Sequence, residues 1–411
     1  MAAPPAMLTV DTAPWMREAP TRAVVAAITA GGRPVRFVGG CVRDALAGRS
    51  VSDVDIATPE PPSRVLELLA AAKIKAVPTG LEHGTVTAIV DGRPFEITTL
   101  RRDVETDGRR AIVAFTDSWA EDAARRDFTI NALSADPDGT VHDPFGGLAD
   151  LAAGRVRFVG EAELRIREDV LRILRFFRFH AHYGKGDPDG PGFAACRKLA
   201  HLLPGLSGER VAAELRRLLA APDPAATLER MRSAGILASI LPEIAGLAQL
   251  VGLQGLADPA ARDPLLRLAA VLPADAAVAR SVAERLRLSN DERTWLELLA
   301  SPPAHVWPAR GETALRRALH RLGPDLVRDL GLLAMARGDI DAGRPAVQAA
   351  ATWTPVTLPV RGQDALELGV PAGPRVGQLI AAAESWWEEN DYRPDRAACL
   401  EKLKSLVTPH K

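Results

Sequence analysis

The chain has 411 residues, 47% of them hydrophobic and 25% charged, and a formal net charge of −1. That length exceeds one compact core and calls for roughly two to four subdomains of a soluble globular protein. The balanced charge excludes a global basic field, and no run of about 18 apolar residues is available to span a membrane.

The opening stretch MAAPPAMLTVDTAP lacks a basic segment followed by an apolar core, so no secretory signal is expected. A helix is predicted over Thr21–Ala30 and a strand over Val35–Val38. Next comes GGCVRDALAGRSVSDVDIAT, Gly39 to Thr58. The glycine pair allows a backbone to approach a triphosphate closely. The run Asp53-Val54-Asp55-Ile56-Ala57 reads as a strand. Residues i and i+2 share a face there, so Asp53 and Asp55 point one way while Val54 and Ile56 pack the other. Two carboxylates held together repel, and a divalent cation relieves them; magnesium favours carboxylate oxygen plus substrate phosphate. The combination points to metal-assisted nucleotidyl transfer.

A helix over Ser63–Ala72 and strands over Ile74–Val77, Thr85–Val90 and Pro94–Leu100 follow, with Asp91-Gly92 as a hairpin turn. Glu96 shares a face with Thr98 and Leu100, opposite Phe95, Ile97 and Thr99. A carboxylate in a central strand needs a reason, and completing the two-aspartate site to orient the attacking hydroxyl supplies one. Asp103–Phe115 is polar and without period, and reads as a mobile loop. In RRDFTINAL, Arg125 to Leu133, Arg126 is placed to reach a triphosphate from the opposite side.

REDVLRILRFFRFHA, Arg167 to Ala181, is predicted as one helix. Asp169, Arg172, Arg175 and Arg178 wind over one half of it, with Val170, Ile173, Leu174 and Phe177 over the other. Asp169 stands one turn before Arg172 and is expected to lock it, giving paired donors and acceptors for a base edge; the later arginines suit phosphates. An amphipathic helix with a solvated basic face is the plainer alternative. Beyond residue 160 the sequence is rich in Ala, Leu, Arg and Glu and nothing reads as a sheet, so an α/β head precedes an all-α remainder. A Pro-containing break near Thr352–Gly362 precedes a last helical unit ending near Leu406. Cys41, Cys196 and Cys399 are far apart, which argues against zinc or disulfides and fits a reducing cytoplasm. Arg210, Arg216 and Arg217 are candidates for contacting RNA.

Six ordered segments over roughly residues 35–180 carry a family resemblance. They are the Gly39–Thr58 stretch, LEHGTV (Leu81–Val86), FEITTLR (Phe95–Arg101), RRDFTINAL, HDPFGGLADL (His142–Leu151) and REDVLRILRFFRF. The chain resembles the class II, bacterial-type CCA-adding tRNA nucleotidyltransferases and their relatives the bacterial poly(A) polymerases. The resemblance implies an α+β fold: a polymerase-β-like head with a small mixed sheet (1–155), then a helical neck recognising the base (156–240), a body (241–350) and a tail (351–411). It implies addition of C, C and A to the tRNA 3′ end from CTP and ATP with magnesium and without a nucleic-acid template. Asp53 and Asp55 look like metal ligands and Glu96 like the third carboxylate. Gly40 and Arg43 look like triphosphate contacts, Gly39 and Arg126 like further nucleotide contacts, Asp169 and Arg172 like the base readers, and Arg175 and Arg178 like the rest of the pocket. A poly(A) polymerase, a CC-only or A-only sibling and an inactive RNA-binding scaffold remain alternatives. The lone His142-Asp143 dipeptide has no surrounding His and Asp set of a phosphohydrolase domain, and no strongly basic extension marks a poly(A) polymerase.

Overall fold

The computed structural model of the chain describes residues 7–9, 11–106 and 111–407. They form two compact units, Met1–Pro242 and Glu243–Lys411. The first unit contains β1 (Arg36–Val38), β2 (Asp55–Thr58), β3 (Lys75–Gly80), β4 (Thr85–Val90), β5 (Arg93–Thr99), β6 (Arg101–Thr106), β7 (Ala111–Phe115), β8 (Ser134–Ala135) and β9 (Val141–His142). Seven of these make one sheet in the order β3-β4-β5-β2-β1-β8-β9. β2 and β5 run parallel and the other neighbours antiparallel, so the sheet is mixed.

Alternating burial explains how this sheet carries a site. Phe95, Ile97 and Thr99 are buried on one face of β5, while Glu96 projects exposed from the other. Phe37, Ile56, Val86, Phe95 and Ile97 pack with Val24 and Ile28 of α1 (Ala19–Thr29), with Cys41, Val42 and Ala45 of α2 (Gly40–Leu46), and with Val65 and Leu69 of α3 (Pro62–Ala71). Each large apolar side chain so buried contributes roughly 1.5–3 kcal/mol. Asp91 and Gly92 both take positive φ, 49° and 76°, and join Val90 to Arg93 as the two-residue turn their sequence predicts.

Two expectations are corrected here. The 103–115 segment is not a plain loop: β6 and β7 pair as a two-stranded hairpin from Arg101↔Phe115 to Thr106↔Ala111, and its tip, 107–110, lies outside the described residues. The helix predicted from Arg167 is two helices, α6 (Ala162–Glu168) and α7 (Leu171–Tyr183), in a numbering where α4 is Trp119–Ala124 and α5 is Gly147–Ala153. Asp169 breaks the run with extended dihedrals (φ −151°, ψ 105°), and its carboxylate accepts the Leu171 N–H at 3.1 Å. That local bond competes with the helical ladder. An aromatic core of Phe128, Phe158, Phe176 and Phe179 then seats α7, with Phe158 and Phe176 stacked at 5.5 Å. α8 (Gly190–Leu199) and α9 (Gly208–Leu219) follow.

Among the described residues the second unit is entirely helical. Its last helices, Gly362–Glu367, Pro374–Glu389 and Arg396–Val407, share a core of Val360, Ala365, Leu379, Ala383, Trp387, Cys399 and Leu403. No helix among the described residues is long and apolar enough to cross a membrane.

Candidate active site

A cleft of about 590 Å³ in the first unit collects most of the residues singled out from sequence. Gly39, Gly40, Arg43, Asp55, Glu96, Arg126, Asp169, Arg172 and Arg175 line it; Asp53 and Arg178 do not. The strand wall comes from β2 and β5. Parallel register sets Asp55 beside Glu96 on neighbouring strands, which two-residue alternation then points into the same space. Asp53 stands two residues upstream of β2, not within it; it is exposed, and Ser52 Oγ donates to its carboxylate at 2.9 Å. Val54 and Ile56 are buried, as the alternation requires.

Charge on this wall is only partly compensated. Burial pushes the Asp55 carboxyl up to about 6, and repulsion from Glu96 and Asp53 adds to the rise, while Arg126 offsets part of it. Among the described residues no three His, Cys, Asp or Glu groups converge into a ready-made metal cage. The donor chemistry nevertheless fits a hard divalent cation. The donors available are carboxylate oxygens, few in number and mutually repelling, beside a cavity of about 590 Å³.

The glycine turn lies next to this wall. Gly39 caps α2 with φ +68°, and a Cβ there would meet Arg126 Nη1 at 3.0 Å, so glycine suits both the backbone angle and the close approach. Arg126 donates to Asp122 at 3.1 Å, and the same carboxylate accepts from Arg125 at 2.7 Å. Arg43, 8% exposed, donates from Nη1 to Asn131 Oδ1 at 2.6 Å and from Nε and Nη2 to Asp44 at 3.0 and 2.9 Å.

The helix wall differs from its prediction in pairing. Asp169 does not hold Arg172; at the helix break it accepts from Arg210 Nη2 with both oxygens, at 2.9 and 2.8 Å. Arg210, expected at an RNA surface, therefore belongs to the cleft wall. Arg172 is held by Glu168 at 2.5 Å and by the carbonyls of Arg165 and Arg125 at 3.0 and 3.2 Å. Arg175 donates to Asp127 at 2.7 Å, and Arg178, outside the cavity lining, donates to the buried Glu214 at 2.5 Å. These arginines are thus not free cations awaiting phosphate, because each is already paired.

Sequence reasoning missed Glu168, Asp127, Asn131 and Glu214. Glu168 stands four residues before Arg172, the spacing at which helical charge pairs meet, and Asp127 stands four before Asn131, whose amide donates to it at 2.9 Å. Burial opposes ionisation of Asp127, but Arg175 and Asn131 outweigh it and hold the carboxyl below its ordinary range. Glu214 had as local signal only its i,i+3 spacing to Arg217, 3.5 Å away, since its closer partner Arg178 is 36 residues distant. His142-Asp143 is structural. His142 Nε2 meets Asp136 at 2.7 Å, and Asp143 accepts the Gly147 and Leu148 N–H groups at the start of α5.

A mixed-sheet head with opposed carboxylates, a glycine turn and an arginine-lined helix wall defines a nucleotidyltransferase of the polymerase type. Residues 35–157 match the family model of the poly(A) polymerase head domain, and 192–247 match a probable RNA- and SrmB-binding site of polymerase A. The chain is 33% identical over 382 residues to the Mus musculus mitochondrial CCA tRNA nucleotidyltransferase 1, covering 90% of this chain and 86% of that protein. It is 45% identical over 201 residues to a Streptococcus pyogenes CCA-adding enzyme, about half of each chain (48% and 49%). The crystal structure of the Bacillus stearothermophilus CCA-adding enzyme in complex with CTP aligns at TM-score 0.77 and 28% identity, covering 95% of this chain and 98% of that one. The chain belongs to the family of CCA-adding tRNA nucleotidyltransferases and poly(A) polymerases.

Proposed function

We propose that this protein adds C, C and A to the 3′ end of tRNA from CTP and ATP, releasing pyrophosphate, without a nucleic-acid template. The observation that carries this reading is the single cleft in which Asp55 and Glu96 face the glycine turn, Arg43 and the paired arginines of α7. The 33% identity to a CCA tRNA nucleotidyltransferase, over an alignment covering 90% of this chain, supports the substrate assignment.

Asp53 and Asp55 hold magnesium in this reading, a choice supported by the all-oxygen donor set. The bound metal supplies charge neutralisation at the attacking and leaving oxygens. Glu96, beside Asp55 in register, orients the attacking 3′ hydroxyl. Gly39 and Gly40 bring backbone close to the triphosphate, with Arg43 and Arg126 meeting its oxygens. Asp169 and Arg172 read the base edge, each fixed by a partner of its own. Cytosine and adenine both offer an exocyclic amine donor beside a ring-nitrogen acceptor, whereas uracil and guanine present the reverse. Leaving a buried polar group unpaired costs about 1–3 kcal/mol, which sets a discrimination of roughly tenfold or more per mismatch. Arg175 and Arg178 complete the pocket, Arg178 through Phe179, whose ring lies 4.0 Å from its guanidinium carbon.

We divide the chain into head 1–155, neck 156–240, body 241–350 and tail 351–411; the break between units at Pro242 supports the neck–body boundary. Three free, buried cysteines suit a reducing compartment, for which we propose the cytoplasm.

The test supplies magnesium and tRNA ending at the discriminator base, with CTP and ATP separately and together, and sequences the 3′ ends. Products ending in CCA are expected. The family-model descriptions favour poly(A) addition as the second reading, and a long A tail would establish it. Asp53→Ala is expected to abolish transfer while CTP still binds; substantial remaining activity would remove Asp53 from the metal site.

A further inference from the structure

Arg43 is gripped by its own sequence neighbour, Asp44. Neighbours on a helix do not normally face each other, yet Asp44 takes both Nε and Nη2 of Arg43 with its two carboxylate oxygens, at 3.0 and 2.9 Å. Asp44 is itself aimed by Tyr183, the last residue of α7, whose hydroxyl donates to Oδ1 at 2.6 Å. The Tyr183 ring lies 4.4 Å from the Arg43 guanidinium carbon and 4.3 Å from that of Arg49. Phe179, one turn earlier, lies 5.1 Å from Arg43.

Donor arithmetic gives this arrangement a consequence. A guanidinium has five N–H bonds in a rigid fork. Asp44 takes two of those on Arg43 and Asn131 a third at 2.6 Å. One N–H remains on each terminal nitrogen, the pair that suits two phosphate oxygens. Burial pushes the Tyr183 phenol above its ordinary range, so it stays a protonated donor throughout the working pH range. Without its anchors a long arginine side chain would have to be ordered each time a nucleotide bound, which weakens binding.

We propose that Tyr183 and Asp44 are positioning residues for the triphosphate: the last residue of α7, acting through Asp44, fixes Arg43 so that its two remaining N–H bonds meet phosphate oxygens. The inference rests on the nucleotidyl transfer proposed above. It differs from base selection in being blind to the base.

The test measures binding of CTP, ATP, pyrophosphate and cytidine to the full chain without RNA, followed by kcat and KM on tRNA. Tyr183→Phe keeps the ring and its stacking but loses the donor. It is expected to weaken CTP, ATP and pyrophosphate by the same factor, about three- to tenfold, leaving cytidine binding and Tm unchanged. Asp44→Asn is expected to cost more, about ten- to a hundredfold in KM, because an ionic partner is lost. Combining Asp44→Asn with Arg43→Lys should add little to the Arg43→Lys loss, since the two act as one unit. Wild-type affinity for all three phosphate ligands in Tyr183→Phe would overturn the proposal, as would a loss shared by cytidine or tracking a fall in Tm. Should Asp44→Asn fail to fold, Tyr183→Phe decides alone. A wild-type protein that binds CTP and pyrophosphate but does not extend tRNA would refute the reaction assigned above, and the binding comparison would still decide the role of Tyr183.

Discussion

On the strand wall of the cleft, Asp55 and Glu96 stand in register on parallel strands, and among the described residues neither is ion-paired. On the helix wall the opposite holds: Arg172 carries Glu168, Arg175 carries Asp127, and Arg210 carries Asp169. The first wall stores repulsion that Arg126 offsets only in part and an added cation would relieve. The second has its charge already compensated, so it presents oriented donors and acceptors instead of a net positive field. Under the proposed function, charge would be neutralised at the strand wall, where bonds change, and geometry fixed at the helix wall, where the base is chosen.

Asp55→Asn should break the strand wall most completely. With Asp55 as a metal ligand, as proposed, its loss is expected to lower kcat by more than about 10²–10³-fold, comparable to removing one charge-stabilising group from an active site. The same substitution should stabilise the metal-free protein. The Asp55 pKa rises from 3.8 unfolded to about 6 folded, so the folded chain binds the proton more tightly and stability falls as pH rises between those values. In chelator at pH 8 the variant should melt roughly 2–4 °C above the wild type for each kcal/mol relieved, with the difference vanishing near pH 4. Metal affinity of the wild type should weaken as pH falls through about 6, because the cation competes with a proton. Equal melting temperatures in chelator at pH 8 would mean that the strand wall stores no repulsion.

Asp127→Ala attacks the helix wall. It strips Arg175 of its carboxylate and Asn131 of its acceptor. Arg175 then keeps only the longer contact to Glu214 at 3.8 Å, and losing its closer carboxylate is expected to cost up to about 3–5 kcal/mol, read from urea unfolding. The sign of its pH dependence is opposite to that of Asp55. With its carboxyl below the ordinary range, Asp127 contributes stability above about pH 4 and loses it as pH falls further, a loss the alanine variant should not show. A variant as stable as the wild type would reduce the helix wall's pairings to incidental surface contacts.

The two walls were not equally legible in the sequence. Strand alternation has a period of two, so a short run such as Phe95-Glu96-Ile97-Thr98 assigns its own faces; the buried Phe95 and Ile97 and the exposed Glu96 follow from it directly. Sheet order adds only that β5 lies beside β2. The helix wall depends on partners far apart in the chain, Arg178 with Glu214 and Asp169 with Arg210, and no local pattern encodes them. The three-residue recurrence from Asp169 to Arg178 was real, but it concealed a helix break at its first member. The 103–115 segment failed for a related reason. Its pairing runs strand to strand within a hairpin whose polar residues carry no alternating apolar signature. The Asp91-Gly92 turn, by contrast, is set by two adjacent residues in the positive-φ region and was legible outright.

The smallest expected effect tests how far the helix wall reads the base by geometry. Glu168→Gln keeps the size of the side chain but removes the charge that holds Arg172 at 2.5 Å; the Arg165 and Arg125 carbonyls still accept from the guanidinium. Stability should change by under about 1 kcal/mol, because the pair is partly solvated and two of the three contacts survive. The loss should appear in choice, with misincorporation of U and G opposite a fixed background of C and A rising about tenfold, the equivalent of one loosened hydrogen bond. Sequencing the 3′ ends of tRNA extended in mixed nucleotides measures it. If selectivity is unchanged in Glu168→Gln but lost in Asp169→Ala, the reading pair is Asp169 with Arg210 across the helix break, and the fixed orientation of Arg172 serves another contact.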